Sequence, residues 1–158
     1  MKLEGSCHCR AVRFSVDSQS PYPYMRCYCS ICRKTGGGGG YAINLLGDAA
    51  TLAIEGEDNV TVYRVARDDG PSPARRHFCK HCGSALWVYD PDWPELVHPF
   101  ASAVDTPLPS PPETVHIMLD SKAGWAEVPD GAAHRHFTEY PDQSIEDWHR
   151  SQGLLETS

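Results

Sequence analysis

Val12, Phe14 and Val16 alternate with Arg13 and Ser15, the period-two pattern of a strand with one buried face. Leu52 and Ile54 repeat that pattern, and a β-branched run follows from Val60 to Val65. Between them stands Gly56-Glu57-Asp58-Asn59, a turn-forming sequence, so the pair predicts a hairpin. Further strands are predicted at Ala85–Tyr89, around Leu96–Ala103 and at Val115–Leu119. Long helical stripes are absent, and one helix is predicted near the end. Ser144 stands ready to cap it with Asp147 three residues on, Ile145 and Trp148 share a face, and Gly153 can stop it. The run Pro107–Pro112 predicts an extended connector, because proline fixes φ and removes a donor. There is no internal repeat. The pattern predicts a mainly β protein with a short C-terminal helix.

A chain of 158 residues with 41% hydrophobic and 22% charged residues fits a single domain, 1–158, able to bury a core. The formal charge of −7 argues against a nucleic-acid partner, which would call for a basic surface. The start, MKLEGSCHC, has no apolar segment of the signal-peptide kind, and no stretch approaches the roughly 18 apolar residues of a membrane span. The expectation is a cytoplasmic protein without a membrane partner; nothing in the sequence sets its oligomeric state. Cytosolic thiols stay reduced, so clustered cysteines there read as metal-binding or catalytic.

There are seven cysteines, in three clusters: Cys7 and Cys9; Cys27, Cys29 and Cys32; Cys79 and Cys82. An odd count fits disulfides poorly. In CKHCG, two residues between thiols let one tight turn aim both sulfurs at one ion, and Gly83 can take the positive φ that such a turn needs. Cys7 and Cys9 would share one face of a strand. A closed zinc site takes four ligands, so one site leaves three thiols over. Spacing alone allows Cys79 and Cys82 to join either Cys7 and Cys9 or Cys29 and Cys32. His8, His77 and His81 are near enough in sequence to be further ligand candidates.

The motifs GSCHCRAVRF, CYCSICRK, FCKHCGS, ASAVDTP and HIMLDSKAGW, in this order, resemble the glutathione-dependent formaldehyde-activating enzyme family, which also includes centromere protein V. The resemblance covers about Gly5 to Asp130, leaving an extension at 131–158. It implies a zinc-bound fold of mostly antiparallel sheets. It also implies that Cys7, Cys9, Cys79 and Cys82 hold a structural zinc, while Cys27, Cys29 and Cys32 hold a second zinc with one position open. Two departures stand out. Arg10 replaces the glycine that usually follows the first cysteine pair, and Tyr28 replaces the usual histidine of the second cluster.

Three thiolates and an open position are the arrangement of a catalytic rather than a structural zinc. The resemblance implies a small thiol, glutathione, as the incoming ligand and formaldehyde, a small aldehyde, as its partner in a carbon–sulfur lyase-type reaction. Cys27, Cys29 and Cys32 are then the candidate catalytic residues. Gly36–Gly40 follows at once, and Gly37 and Gly38 are candidates for a wall without side chains against a peptide-like ligand, with Arg33 meeting its carboxylates. His116 carries no assigned role, and Trp87, Trp93 and Trp125 read as core or ligand-shelf aromatics. The rival reading is a non-catalytic zinc module that binds a protein partner or a small thiol.

Overall fold

The strands β1 (Lys2–Ser6) and β2 (Arg13–Asp17) pair antiparallel, with Leu3 opposite Val16 and Gly5 opposite Phe14. The protein is described here as a computed structural model covering residues 1–36 and 38–154. In chain order there follow β3 (Tyr24–Cys27), helix α1 (Ser30–Gly36), β4 (Ala42–Asn44), β5 (Gly47–Asp48), β6 (Ala53–Glu55) and β7 (Val60–Tyr63). Next come β8 (Ala66–Arg67), β9 (Gly70–Pro71), β10 (Arg75–Cys79), β11 (Ala85–Tyr89) and β12 (Leu96–Pro99). The chain closes with β13 (Thr114–Ile117), β14 (His134–His136) and helix α2 (Ile145–Ser151).

These elements form two compact units, each assembled from two stretches of chain. The first unit takes Met1–Gln19 and Asn44–Leu108. It holds a three-stranded sheet ordered β1-β2-β6 and a five-stranded sheet ordered β5-β12-β11-β10-β7, all antiparallel. Leu3, Val12, Phe14, Val16, Leu86, Trp87 and Val97 are buried, so the alternation at 12–16 places its apolar set inside as predicted. Phe14 meets Trp87 edge to face at 5.2 Å between ring centroids.

The predicted hairpin over Leu52–Val65 is absent. β6 pairs with β2, Phe14 opposite Ile54, whereas β7 pairs with β10, Val62 opposite His77. The turn between them is real, but it switches sheets. Gly56 adopts φ +75, and Asn59 ties the next turn to two other segments: its side-chain amide donates to the Ala11 carbonyl, and its own carbonyl accepts from Lys80 N–H. Those long-range bonds outcompete local pairing.

The second unit takes Ser20–Ile43 and the chain from Pro109 onward. Its sheet is ordered β14-β13-β3-β4, and β13 runs parallel to both β3 and β14. All four residues of β13 are buried, as expected of a strand covered on both faces. The strand stops at Ile117 because Met118 enters the left-handed region at φ 59. The extension contributes β14 and α2. Ser144 Oγ accepts from Asp147 N–H as the predicted cap, and Trp148, 2% exposed, donates from Nε1 to Glu113 at 2.6 Å. Helix α1 carries no sequence signal strong enough to predict it; seven residues ending in glycine give no stripe. Among the described residues no helix is long and apolar enough to cross a membrane.

The Gly56 geometry yields a prediction. A Cβ there would lie 2.0 Å from the Ala11 carbonyl oxygen, whereas one at Gly83, with nearly the same φ of +76, would meet nothing within 4 Å. Gly83→Ala should cost only left-handed strain, about 1–2 kcal/mol. Gly56→Ala should cost at least about 1–3 kcal/mol more, because backbone must shift. Urea denaturation of both variants checks this; equal losses would mean that the Ala11 contact yields freely.

Candidate metal centres

The first cluster is built from two turns. Cys7 closes β1: its N–H donates to the Val12 carbonyl, and its carbonyl accepts from Arg10 N–H, so the chain reverses between Cys7 and Val12. Arg10 sits at φ 62, the left-handed conformation a glycine would adopt without strain, so its side chain is accommodated at the expense of backbone strain alone. Cys79 closes β10 after a bulge at His77/Phe78, and Gly83 N–H donates back to the Cys79 carbonyl at 2.8 Å. The turns meet sulfur to sulfur. Cys9 Sγ lies 3.6 Å from Cys7 Sγ and 3.7 Å from Cys79 Sγ.

A tetrahedron with metal–sulfur bonds of about 2.3 Å has sulfur–sulfur edges of about 3.8 Å. The spacing therefore fits a thiophilic ion such as zinc. Backbone N–H groups already point at the sulfurs, from Val12 to Cys7 Sγ at 3.3 Å and from His81 to Cys79 Sγ at 3.4 Å. The Ser84 hydroxyl, first among several hydrogen bonds, draws Cys82 down to about 5. The four cysteines Cys7, Cys9, Cys79 and Cys82 form one group with all sulfurs within 4.8 Å of one another. Cys79 and Cys82 thus lie with Cys7 and Cys9 rather than with Cys29 and Cys32. His8, His77 and His81 do not join it; His77 stacks on Trp87 at 5.0 Å, and His81 Nε2 bonds Asn59 Oδ1.

The second cluster is local. Cys27 ends β3, Cys29 lies in the following loop, and Cys32 is on α1. Their three sulfurs also lie within 4.8 Å of one another, with Cys27 and Cys32 buried. Cys32 N–H donates to Cys29 Sγ at 3.3 Å. Hydrogen bonds from Cys27 and then Cys32 hold the Cys29 thiol far below its ordinary value, while those from Cys29 and then Cys32, with burial, push Cys27 far up. Negative charge among these sulfurs thus sits first on Cys29, held by hydrogen bonds from the other two, and ionising all three would call for a cation. The group fits a metal through three thiolates, leaving one of four tetrahedral positions for another donor.

Of the other predicted residues, Arg33 follows Cys32 on α1, with its Nε buried and without a hydrogen-bond partner. Gly38 faces open space, and Gly37 lies outside the described residues. Gly40 is the glycine that the loop requires, since a Cβ there would lie 2.6 Å from Ala126. Trp87 is core, whereas Trp93 and Trp125 are exposed.

A buried polar chain starts beside the triad. Tyr28 Oη is 2.9 Å from His116 Nδ1, and His116 Nε2 is 3.0 Å from His134 Nδ1. Tyr28 and His116 are both fully buried. His134 gave no sequence expectation. The available signal was His134 and His136 at i, i+2, which puts two imidazoles on one face of a strand.

The sequence model of the glutathione-dependent formaldehyde-activating enzyme family matches residues 2–121. This chain belongs to that family. A relative from Halomonas elongata, provisionally named a glutathione-dependent formaldehyde-activating enzyme, is 60% identical over 156 residues, 99% of each chain. The crystal structure of a Rhodobacter sphaeroides protein is similar at a TM-score of 0.54 and 28% identity, covering 69% of this chain and 92% of that one. The mainly β fold is thus shared, over 69% of this chain, with a solved structure.

The two clusters differ in what they tie together. The four-cysteine group joins segments 70 residues apart, whereas the triad lies within the short span from Cys27 to Cys32. Serine at Cys79 or Cys82 should therefore abolish cooperative folding of the first unit, and serine at Cys27, Cys29 or Cys32 should leave the melt nearly unchanged. Thermal melts monitored by circular dichroism check this; equal collapse in both sets would overturn the distinction.

His116 supplies a second expectation. Burial, then Arg26, His136 and His134, push it down to about 4. Unfolded, it binds its proton near the ordinary 6.5. Between those values the unfolded state holds more protons, so stability falls as pH drops through that window, by at most about 1.4 kcal/mol per unit. His116→Asn should flatten this part of the slope. Melts of both proteins from pH 7 to 5 measure it, and parallel slopes would refute the assignment.

Proposed function

We propose that the protein is a zinc-dependent, carbon–sulfur lyase-type enzyme that joins the thiol of glutathione, or a related small thiol, to formaldehyde and catalyses the reverse cleavage. The observation that carries this reading is the Cys27, Cys29 and Cys32 group, a second thiol cluster with one ligand too few for a closed site. Family membership and the name of the Halomonas elongata relative support the choice of thiol and aldehyde.

In the forward direction the S–H bond breaks, sulfur forms a bond to the carbonyl carbon, and the carbonyl π electrons move to oxygen, which takes up the proton. Zinc at each cluster, two per chain, is the expected complement; at the triad it supplies a Lewis acid that favours the ionised form of a substrate thiol. The chain's own part is to bring the two reactants together and limit competing hydration of the aldehyde. Arg33 is the candidate for a carboxylate of the thiol. Its guanidinium takes part in none of the ion pairs formed among the described residues, which leaves it able to donate a charge-assisted bond to a ligand carboxylate. Gly37 and Gly38 remain the candidates for the ligand-facing wall, and the open space around Gly38 is compatible with that role. The cytoplasm, where thiols stay reduced, is the fitting compartment.

The adduct also forms without a catalyst, so the test is exchange at equilibrium between S-hydroxymethylglutathione and its free components. Intact protein should accelerate exchange, and Cys29→Ser should fall to the buffer rate. Magnetization-transfer NMR reads this directly. Exchange by intact protein no faster than buffer would refute formaldehyde activation and favour a thiol-binding module.

A further inference from the structure

Tyr28 occupies the position between two candidate ligands, Cys27 and Cys29. Its backbone is gripped by β13, because Cys27 pairs with Ile117 and Tyr28 N–H donates to the Ile117 carbonyl at 3.1 Å. Its side chain is gripped by the same strand, through the 2.9 Å contact from Oη to His116 Nδ1. Buried hydroxyls and imidazoles need partners, and burial without them costs free energy. His116 finds its second partner only in the extension. β14 adds in parallel to β13, with His134 opposite Thr114 and His136 opposite His116. That register brings His134 Nδ1 to 3.0 Å from His116 Nε2 and sets the His136 ring edge-on to His116 at 5.1 Å. His136 is itself fixed by the Pro129 carbonyl at 2.8 Å.

Both ring nitrogens of His116 are thus occupied, one by Tyr28 and one by His134. His116 cannot also offer a lone pair to a metal. It acts as a strut instead. A neutral imidazole has one donor and one acceptor, so the sense of the His134 bond and the sense of the Tyr28 bond fix each other through His116. Residues 134–136 lie beyond the segment 2–121 that the family model covers.

We propose that His134 is a positioning residue of the triad's metal site: through His116 it locks the Tyr28 side chain, and with it the Cys27–Tyr28–Cys29 backbone, in the geometry that holds the metal. The proposal rests on the triad taking up a metal but not on the identity of the thiol or the aldehyde. Partners that orient ligands in this way are worth about 10- to 100-fold in metal affinity.

The experiment is chelator competition on the zinc-loaded full chain, resolving the two sites, together with the absorption spectrum of the cobalt form. His134→Leu should weaken the second zinc about 10-fold and alter the cobalt bands, with the first zinc unchanged. His134→Asn should restore both, because its amide puts a polar atom where Nδ1 stands. Tyr28→Phe, which removes only the hydroxyl, should reproduce the loss, and it carries the test if the leucine variant does not fold. Intact protein that takes up a single zinc would overturn the metal reading of the triad and this proposal with it. Two zincs with unchanged affinity in His134→Leu, equal weakening of both, or no rescue by asparagine would overturn the proposal alone.

Discussion

The constraint on which the first unit depends is the convergence of four sulfur atoms within 4.8 Å of one another, Cys9 lying 3.6 Å from Cys7 and 3.7 Å from Cys79. Two full negative charges at that distance repel by about 4 kcal/mol at an effective dielectric of 20. The group can be fully ionised only with a cation at its centre; without one it must keep protons. Several neighbouring choices serve the metal-bound alternative. The two turns supply N–H groups to sulfur, Gly83 allows the tight reversal, and the Ser84 hydroxyl draws Cys82 toward the thiolate. Because the group also joins β1 to β10, the same chemistry that fills the site closes a long loop.

The triad obeys a different logic. Its three sulfurs come from the end of β3, the loop after it and the start of α1, so binding there orders little chain that is not already ordered. That frees it from a structural duty, and a tetrahedral ion held there would keep one position for another donor. The same locality makes its geometry a problem, since a short loop can slide. The sheet answers it by holding Tyr28 at both backbone and side chain.

Much of this was legible in the sequence because the signals were local. Strand β2, the burial of Val12, Phe14 and Val16, the knuckle at Cys79 and Cys82, and the Ser144 cap each depend on residues a few positions apart. Where the outcome depended on distant partners, the reading failed or stayed open. The hairpin over 52–65 was lost because Asn59 bonds to Ala11 and Lys80 rather than letting β6 and β7 pair. The pairing of cysteine clusters was open until the sheets brought Cys9 against Cys79. Parallel pairing of β13 with β3 and β14 has no local signature, since it needs long crossovers, and so the His116–His134 contact could not be foreseen.

The buried chain of Tyr28, His116 and His134 is costly in a way that an apolar core is not. Each polar atom taken from water must regain its hydrogen bond inside, and a half-satisfied network is worse than hydrocarbon. A phenylalanine and a leucine would fill similar space without that risk. What they would not provide is direction, because dispersion contacts tolerate small rotations and shifts that a buried hydrogen bond resists. Direction matters here because the Tyr28 Cα is covalently fixed between two sulfur-bearing residues. A shift of its backbone moves Cys27 and Cys29 with it, and a ring anchored at its hydroxyl resists that shift. The polar chain is therefore best understood as a means of holding two sulfurs still from behind, with the far anchor supplied by β14, the strand that the C-terminal extension adds to the sheet.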